Sequence, residues 1–227
     1  MSLLLNIDTA ISTASISIAK DGHILGEAIN IDQKDQGAFI QPAIQSIAQN
    51  LGIHLSELTA IAVVAGPGSY TGLRVGMASA KGLCYALGKP LITISTLNLL
   101  ACQAINEAHI IQEDMPTLYC PMVDARRMEV FTAVFDKELN TVLSPSAMII
   151  DENSFANLLL NKKIIFFGNG ALKWQKINQQ KNAMFFELKS KTLYMNELSF
   201  KKYLANDFAD TVYAEPMYIK EFYNPVI

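Results

Sequence analysis

The chain has 227 residues, 51% hydrophobic and 17% charged, which is ordinary globular composition with room for one large domain or two small ones. A formal net charge of −3 supplies no global positive field for nucleic acid, and the basic pairs Arg126/Arg127, Lys162/Lys163 and Lys201/Lys202 read as solvated surface. No apolar run is long enough to span a bilayer, so no membrane role is expected.

The opening "MSLLLNIDTA" has no basic start and meets Asp8 too early for a signal peptide. Cys84, Cys102 and Cys120 are widely spaced without CxxC, which suits inert thiols in a reducing cytoplasm. The first elements form a meander. "LLLNI" is a continuous apolar run, "TASISIAK" alternates with period two, Asp21-Gly22 marks a tight turn and "HILGEAIN" returns. A helix is expected over about Gly37 to Asn50, with Ile40, Ile44, Ile47 and Leu51 on one face and Phe39 and Ala43 widening it. Pro42 is tolerated there if it lies near the first turn. "LSELTAIAVVA" reads as a short helical turn and a strand. It is followed by "GPGSYTGLRVGMASAKGLCYALG", a glycine turn opening a helix that Gly88-Lys89-Pro90 stops. "LITIS" is a strand and "TLNLLACQAINEA" a helix.

From Pro116 the pattern restarts. "TLYCPMVDA" is an apolar strand delivering Asp124, as the first strand delivers Asp8, and "MEVFTAVF" alternates. Residues Asp136 to Asn140 turn the chain into "TVLSPSAMII", before a helix over Asp151 to Asn161, the glycine-ended strand "KIIFFGNGA" and further helices. The two halves repeat in pattern, not in residues. The expected architecture is therefore α/β, a duplicated two-lobed actin-like (ribonuclease H-like) fold in which each lobe is a mixed sheet with flanking helices. The first lobe is expected over residues 1–108 and a smaller second lobe over 109–227, with the last ~15 residues packing back on the first lobe.

The glycine turn fails each phosphate template. A Walker loop started at Gly66 or Gly68 would need its second glycine at Thr71 or Leu73, and no Lys-Ser/Thr pair follows. Gly66, Gly68 and Gly72 make a GxGxxxG. However, Pro67 lacks an N–H, and "LITIS" ends without the carboxylate that would hold a ribose. Gly72, Gly76, Ser79, Ala80, Gly82 and Ala86 keep much of the following helix small, which permits close approach of another backbone. That neighbour is either the same chain or a second subunit. His23, His54 and His109 have no ligand spacing, and Ser69 has no identifiable base. Asp8 and Asp124 could hold Mg²⁺ in an actin-like layout, but the turns after them, "TAISTA" and "ARRMEV", contain no glycine. "FFGNGALKW" is similar to the glycine turn that faces adenosine in such folds, or is a plain strand-to-helix turn.

Together "LLNIDTAISTASISIA", "LTAIAVVAGPGSYTGLRVGMASAKGL", "ISTLNLLA", "VDARRMEVFTAVF" and "YAEPMYIKEFY" resemble the TsaB (YeaZ) family. The resemblance implies two actin-like lobes and a non-catalytic scaffold or activator. That subunit supports formation of N6-threonylcarbamoyladenosine beside the anticodon of tRNAs reading codons that start with A. It implies pairing with the catalytic TsaD transferase, contact with the TsaE ATPase and with tRNA through the complex, and a homodimer when alone. The HxxxH metal ligands of TsaD are missing from "QGAFIQPAIQSIAQN", so no metal is expected. No nucleotide of its own is expected either; one at the joint with TsaD stays open, since the partner can supply what this chain lacks. The chain departs from the family pattern at Gln36, where many relatives have histidine, and at Met128, where "DARRGE" has glycine.

The contact surface expected on this basis is Arg74, Val75, Met77, Ala78, Lys81, Gly82 and Tyr85, with Phe39, Ile40, Ala43, Ile44 and Ile47 of the preceding helix. Gly72, Gly76 and Gly82 would let the partner helix approach. Asp8, Thr9, Asp124, Gly168 and Gly170 are expected to be vestigial nucleotide-cleft positions. The rival readings are an actin/hexokinase-like ATP-dependent enzyme using Asp8 and Asp124, and a glycoprotease, a label carried by the family for which the catalytic residue patterns are missing.

Overall fold

A computed structural model describes residues 1–31, 35–107, 117–188 and 192–220. The first sheet is built from β1 (Leu3–Asp8), β2 (Ala14–Lys20), β3 (His23–Asn30), β4 (Ala60–Gly66) and β5 (Leu91–Ser95), in the order β3-β2-β1-β4-β5. β1, β2 and β3 pair antiparallel, while β4 and β5 join parallel to β1 and to each other. β4 is buried at every position, hence its unbroken apolar run. The Asp21-Gly22 turn has φ of 48° and 83°, the left-handed pair that a tight hairpin requires.

The second sheet repeats this topology. It comprises β6 (Thr117–Asp124), β7 (Glu129–Phe135), β8 (Thr141–Ile149), β9 (Lys163–Phe167) and β10 (Ala183–Phe186), in the order β8-β7-β6-β9-β10. β6, β7 and β8 are again antiparallel, and β9 and β10 are again parallel additions. The expected duplicated actin-like fold is present, with the same strand order in each sheet.

On the first sheet, α1 (Gln36–Leu51) and α2 (Tyr70–Leu87) cover one face. Ile40, Ile44, Ile47, Met77 and Ala80 pack there on Leu5, Ile7, Ile16, Ile18, Ile61 and Val63. Because side chains alternate along a strand, Asn6 and Ser17 point to the opposite face. There α6 (Thr192–Leu204) lies against β1, β2, β3 and β5. Gly52 and Gly88, both at φ 64°, end α1 and α2. A helix α3 (Thr96–Glu107) follows β5 directly. In the second unit Trp174 is fully buried among Phe155, Phe166 and Phe185, with its Nε1–H donating to Asp151 O at 2.8 Å.

Several expectations change. Among the described residues, the chain divides into one unit of residues 1–99 with the return segment 192–216, and another of residues 100–188 with residues 217–220. The division thus falls inside α3 rather than near 108, and α6 with the segment after it belongs to the first unit. Pro42 is the seventh residue of α1, not a first-turn residue; the carbonyl it leaves without a donor belongs to Ala38, which is exposed to water. The helix expected over 151–161 contracts to α4 (Ala156–Leu159). Asp151 Oδ1 accepts from Asn153 N–H at 3.0 Å and Phe155 sits at φ 63°, so the chain turns before it can coil. β10 was not expected, and α5 (Ala171–Gln175) is a single short helix.

Candidate functional site

The glycine turn after β4 is occupied by the chain itself. The Ser69 N–H donates to Ala10 O at 2.7 Å, and Gln36 Nε2–H donates to Ile11 O at 3.0 Å. Thr9 Oγ1–H donates to Gly72 O at 2.7 Å, while Ser69 Oγ caps α2 by accepting from Gly72 N–H at 3.3 Å. A Cβ on Gly68 would strike Ala10 O, one on Gly72 would strike Thr9 O and lie 2.5 Å from Gln36 Oε1, and one on Gly76 would strike Thr9 Oγ1. The turn between β1 and β2 is therefore seated in a groove that only glycine leaves open, and N–H groups that a phosphate would need are engaged. This corrects the expectation for Gly72 and Gly76, which admit the first hairpin of their own chain rather than a partner helix. Gly82 differs, because nothing lies within 4 Å of a Cβ placed there.

The second unit repeats the device. After β9, Gly168 has φ 92° and its Cβ would lie 2.5 Å from Met122 O, while Gly170 N–H donates to Met122 O at 2.9 Å. Gly168 and Gly170 thus lean on the end of β6 as Gly68 and Gly72 lean on the turn after β1.

The two aspartates differ. Asp8 is only 7% exposed and, among the described residues, accepts one hydrogen bond, from Ala10 N–H at 3.0 Å. Burial pushes its carboxyl up to about 6, with the Ala10 bond pulling the other way. Thr9 beside it is fully buried. Asp124 is exposed at the end of β6, and the Lys173 ammonium lies 2.6 Å from its Oδ1, which also accepts from Arg126 N–H. A cation at Asp124 would have to displace a lysine. Burial pushes the Cys84 thiol up to about 11 and Cys120 up to about 12, which keeps both thiols protonated and unreactive. His54 N–H donates to Glu57 Oε1 at 2.7 Å beside a short 3-10 turn, His23 is exposed on β3, and His109 lies outside the described residues.

Of the expected contact residues, Ile40, Ala43, Ile44, Ile47 and Met77 are core and cannot present themselves to a partner; Phe39 is half-buried. Their apolar periodicity marks the face turned to the sheet. Arg74, Ala78, Gly82 and Tyr85 form an exposed stripe down the outer side of α2, with Arg74 stacked 3.9 Å over the Tyr70 ring and Tyr85 90% exposed. Val75 and Lys81 flank the stripe half-buried. Lys81 Nζ donates to Val212 O at 3.0 Å and Ala214 O at 2.9 Å, fastening the segment after α6 along α2. Exposed Val212 and Tyr213 therefore join the surface near the stripe. Spacing gave no signal for them, since the contact spans more than a hundred residues.

A family model described as "TsaD: tRNA N6-adenosine threonylcarbamoyltransferase" matches residues 31–222. The tRNA threonylcarbamoyladenosine biosynthesis protein TsaB of Buchnera aphidicola is 31% identical over 86% of this chain and 89% of its own length. The chain belongs to the TsaB (YeaZ) family. The TsaB of Haemophilus influenzae is 29% identical over 96% of this chain and 93% of its own. The match to the TsaB of Bacillus subtilis, 33% identical, spans 58% of this chain and about half (54%) of that relative's length. YeaZ from Pseudomonas aeruginosa, a solved structure at 21% identity, superposes with a TM-score of 0.79 over 96% of this chain and all of that one. At that identity the superposition speaks for the fold.

Proposed function

We propose that the chain is a non-catalytic partner subunit in the formation of N6-threonylcarbamoyladenosine on tRNA. It docks the catalytic transferase of the TsaD type through the outer face of α2. The observation that carries this reading is the exposed stripe Arg74, Ala78, Gly82 and Tyr85, an arginine and a tyrosine flanking small residues on a rigid helix. The non-catalytic part rests on groups already committed within the chain: Asp124 held by Lys173, and the turn after β4 filled by Thr9 and Ala10. Alone, the same stripe serves a homodimer; the TsaE ATPase and tRNA are met through the complex, in the cytoplasm.

Gly82→Leu tests the docking face. Among the described residues nothing lies within 4 Å of a Cβ there, and leaving glycine favours the helix by up to about 1 kcal/mol, so the variant is expected to fold at least as well as the parent. It is expected to lose transferase binding by tenfold or more in calorimetry, and with it the stimulation of tRNA modification. Binding at wild-type affinity places the contact elsewhere. Gly76→Leu is unsuitable for this purpose, since its side chain would collide with Thr9. Calorimetry with Mg-ATP on the isolated chain covers the rival enzyme reading, which tight binding lost in Asp8→Asn would support.

A further inference from the structure

The connection between β6 and β7 carries a feature that the docking face leaves unused. Arg126 and Arg127 stand consecutively in the left-handed region, at φ 71° and 48°, in a turn closed by Ala125 N–H to Glu129 O and Glu129 N–H to Arg126 O, both 3.1 Å. Non-glycine residues adopt that conformation at a cost, and such strain collects where a surface has work to do. Asparagine or glycine would relieve it.

The charge around the turn is unbalanced. Asp124 is taken by Lys173 at 2.6 Å, and Glu129 by Lys220 at 2.8 Å. Asp151, next to the Ile150 N–H that donates to Met128 O, has Oδ1 occupied by Asn153 N–H and Ser154 Oγ. Four cations, Arg126, Arg127, Lys173 and Lys220, thus stand against three carboxylates, Asp124, Glu129 and Asp151, two of which are already paired with the lysines. Both guanidinium-bearing residues are exposed, and neither makes an ion pair among the described residues. Composition adds an independent point. Arginine supplies only three of the chain's 18 basic residues, at positions 74, 126 and 127, so a lysine-rich chain places two of its three arginines side by side at this tip. The planar fork of arginine grips phosphate oxygens in pairs, which lysine cannot do.

We propose that the Arg126–Arg127 turn is a phosphate-contact site for RNA, the point at which this chain itself touches the backbone of the tRNA substrate. The choice of RNA over an acidic peptide rests on the tRNA reading above; the phosphate chemistry rests on the turn alone. With two side chains carrying it, binding is weak, salt-dependent and indifferent to sequence.

The test is fluorescence anisotropy of an unmodified tRNA transcript with the isolated chain, titrated from 50 to 200 mM salt, with poly-glutamate as a second probe. The parent is expected to bind at micromolar to sub-millimolar concentration. Arg126→Ala/Arg127→Ala is expected to weaken binding at least tenfold and to flatten the salt slope by about 2, at ~0.9 for each lost phosphate contact. Arg126→Lys/Arg127→Lys is expected to keep the slope while losing affinity. Arg126→Asn/Arg127→Gly separates function from folding, with a Tm raised by about 2–4 °C as strain is relieved and RNA binding lost. No RNA binding by the parent, unchanged binding by the alanine pair, or preference for poly-glutamate overturns the proposal. Each outcome is read without the transferase, so failure of the docking reading is seen separately.

Discussion

Burial of Asp8 at the end of β1 removes its carboxylate from water and returns one hydrogen bond, from the Ala10 N–H at 3.0 Å. Its pKa rises from 3.8 in the unfolded chain to about 6 in the fold, with desolvation as the larger cause. A raised folded value means that the native state binds the proton more tightly than the unfolded state does. This contribution to stability is therefore fully present below pH 3.8 and is lost as pH climbs through about 6. The difference corresponds to about 3 kcal/mol. Asp8→Asn keeps an acceptor for Ala10 and carries no charge. It is expected to be more stable than the parent by about 2–3 kcal/mol at pH 7 and roughly equal at pH 4, measured by urea unfolding at both values. A constant gap between the two proteins across that range would show that Asp8 ionises freely. The glycines yield to similar reasoning at this scale. Gly82 lies six residues beyond Gly76, about 240° around the helix, so two glycines of one helix face opposite surroundings. That arithmetic is available from sequence. What it omits is which side meets Thr9 and which meets water, because a small residue suits either.

At the scale of elements, α6 is joined to the sheet by polar groups as well as apolar ones. Asn196 Oδ1 accepts from Asn6 Nδ2–H at 2.5 Å and from Ser17 Oγ–H at 3.0 Å, all three residues being buried, and Thr192 Oγ1–H donates to Glu27 Oε2. Asn196→Ala leaves Asn6 and Ser17 facing a dry space, at an expected cost of about 1–3 kcal/mol. The check is a shift in the urea midpoint with unchanged slope; no shift would mean that α6 is held by its apolar contacts alone. This link was not legible, since a lone asparagine in "LYMNELSF" signals neither its partner nor its face. The strands were legible where the residues alternate, as in β2, or run unbroken apolar, as in β4, although both are buried on both faces. β10 escaped because its four residues are all half-buried and show no alternation. The helix expected after Ile150 is shorter than its apolar spacing suggests, because the Asp151 side chain and the φ of Phe155 break the start. Five of the twelve expected contact residues are core for one reason: apolar periodicity on α1 and α2 marks the buried side, and a docking face is whatever the periodicity leaves over.

For the whole molecule, the repeated strand order shows one topology used twice, but the chain does not close each copy in turn. The first unit needs residues 1–99 and the later segment containing α6, whose Tyr194, Met195, Asn196 and Ser199 are buried. Lys81 and the Leu91–Ala209 bridge fasten the segment after α6 to α2 and β5. A fragment ending at residue 107 therefore lacks the layer that covers the Asn6 and Ser17 face of its sheet. It exposes apolar and half-paired polar groups together, which favours association over folding. Joining residues 1–99 to 192–216 through a flexible glycine-serine linker restores that layer at a loop-closure cost of only a few kcal/mol. The joined protein is expected to elute as a folded species and to melt cooperatively by circular dichroism, whereas the 1–107 fragment is expected to aggregate or melt without a transition. If the short fragment unfolds cooperatively by itself, α6 is an accessory and the first unit ends with α3. If neither protein folds, the first unit depends on the second for its stability.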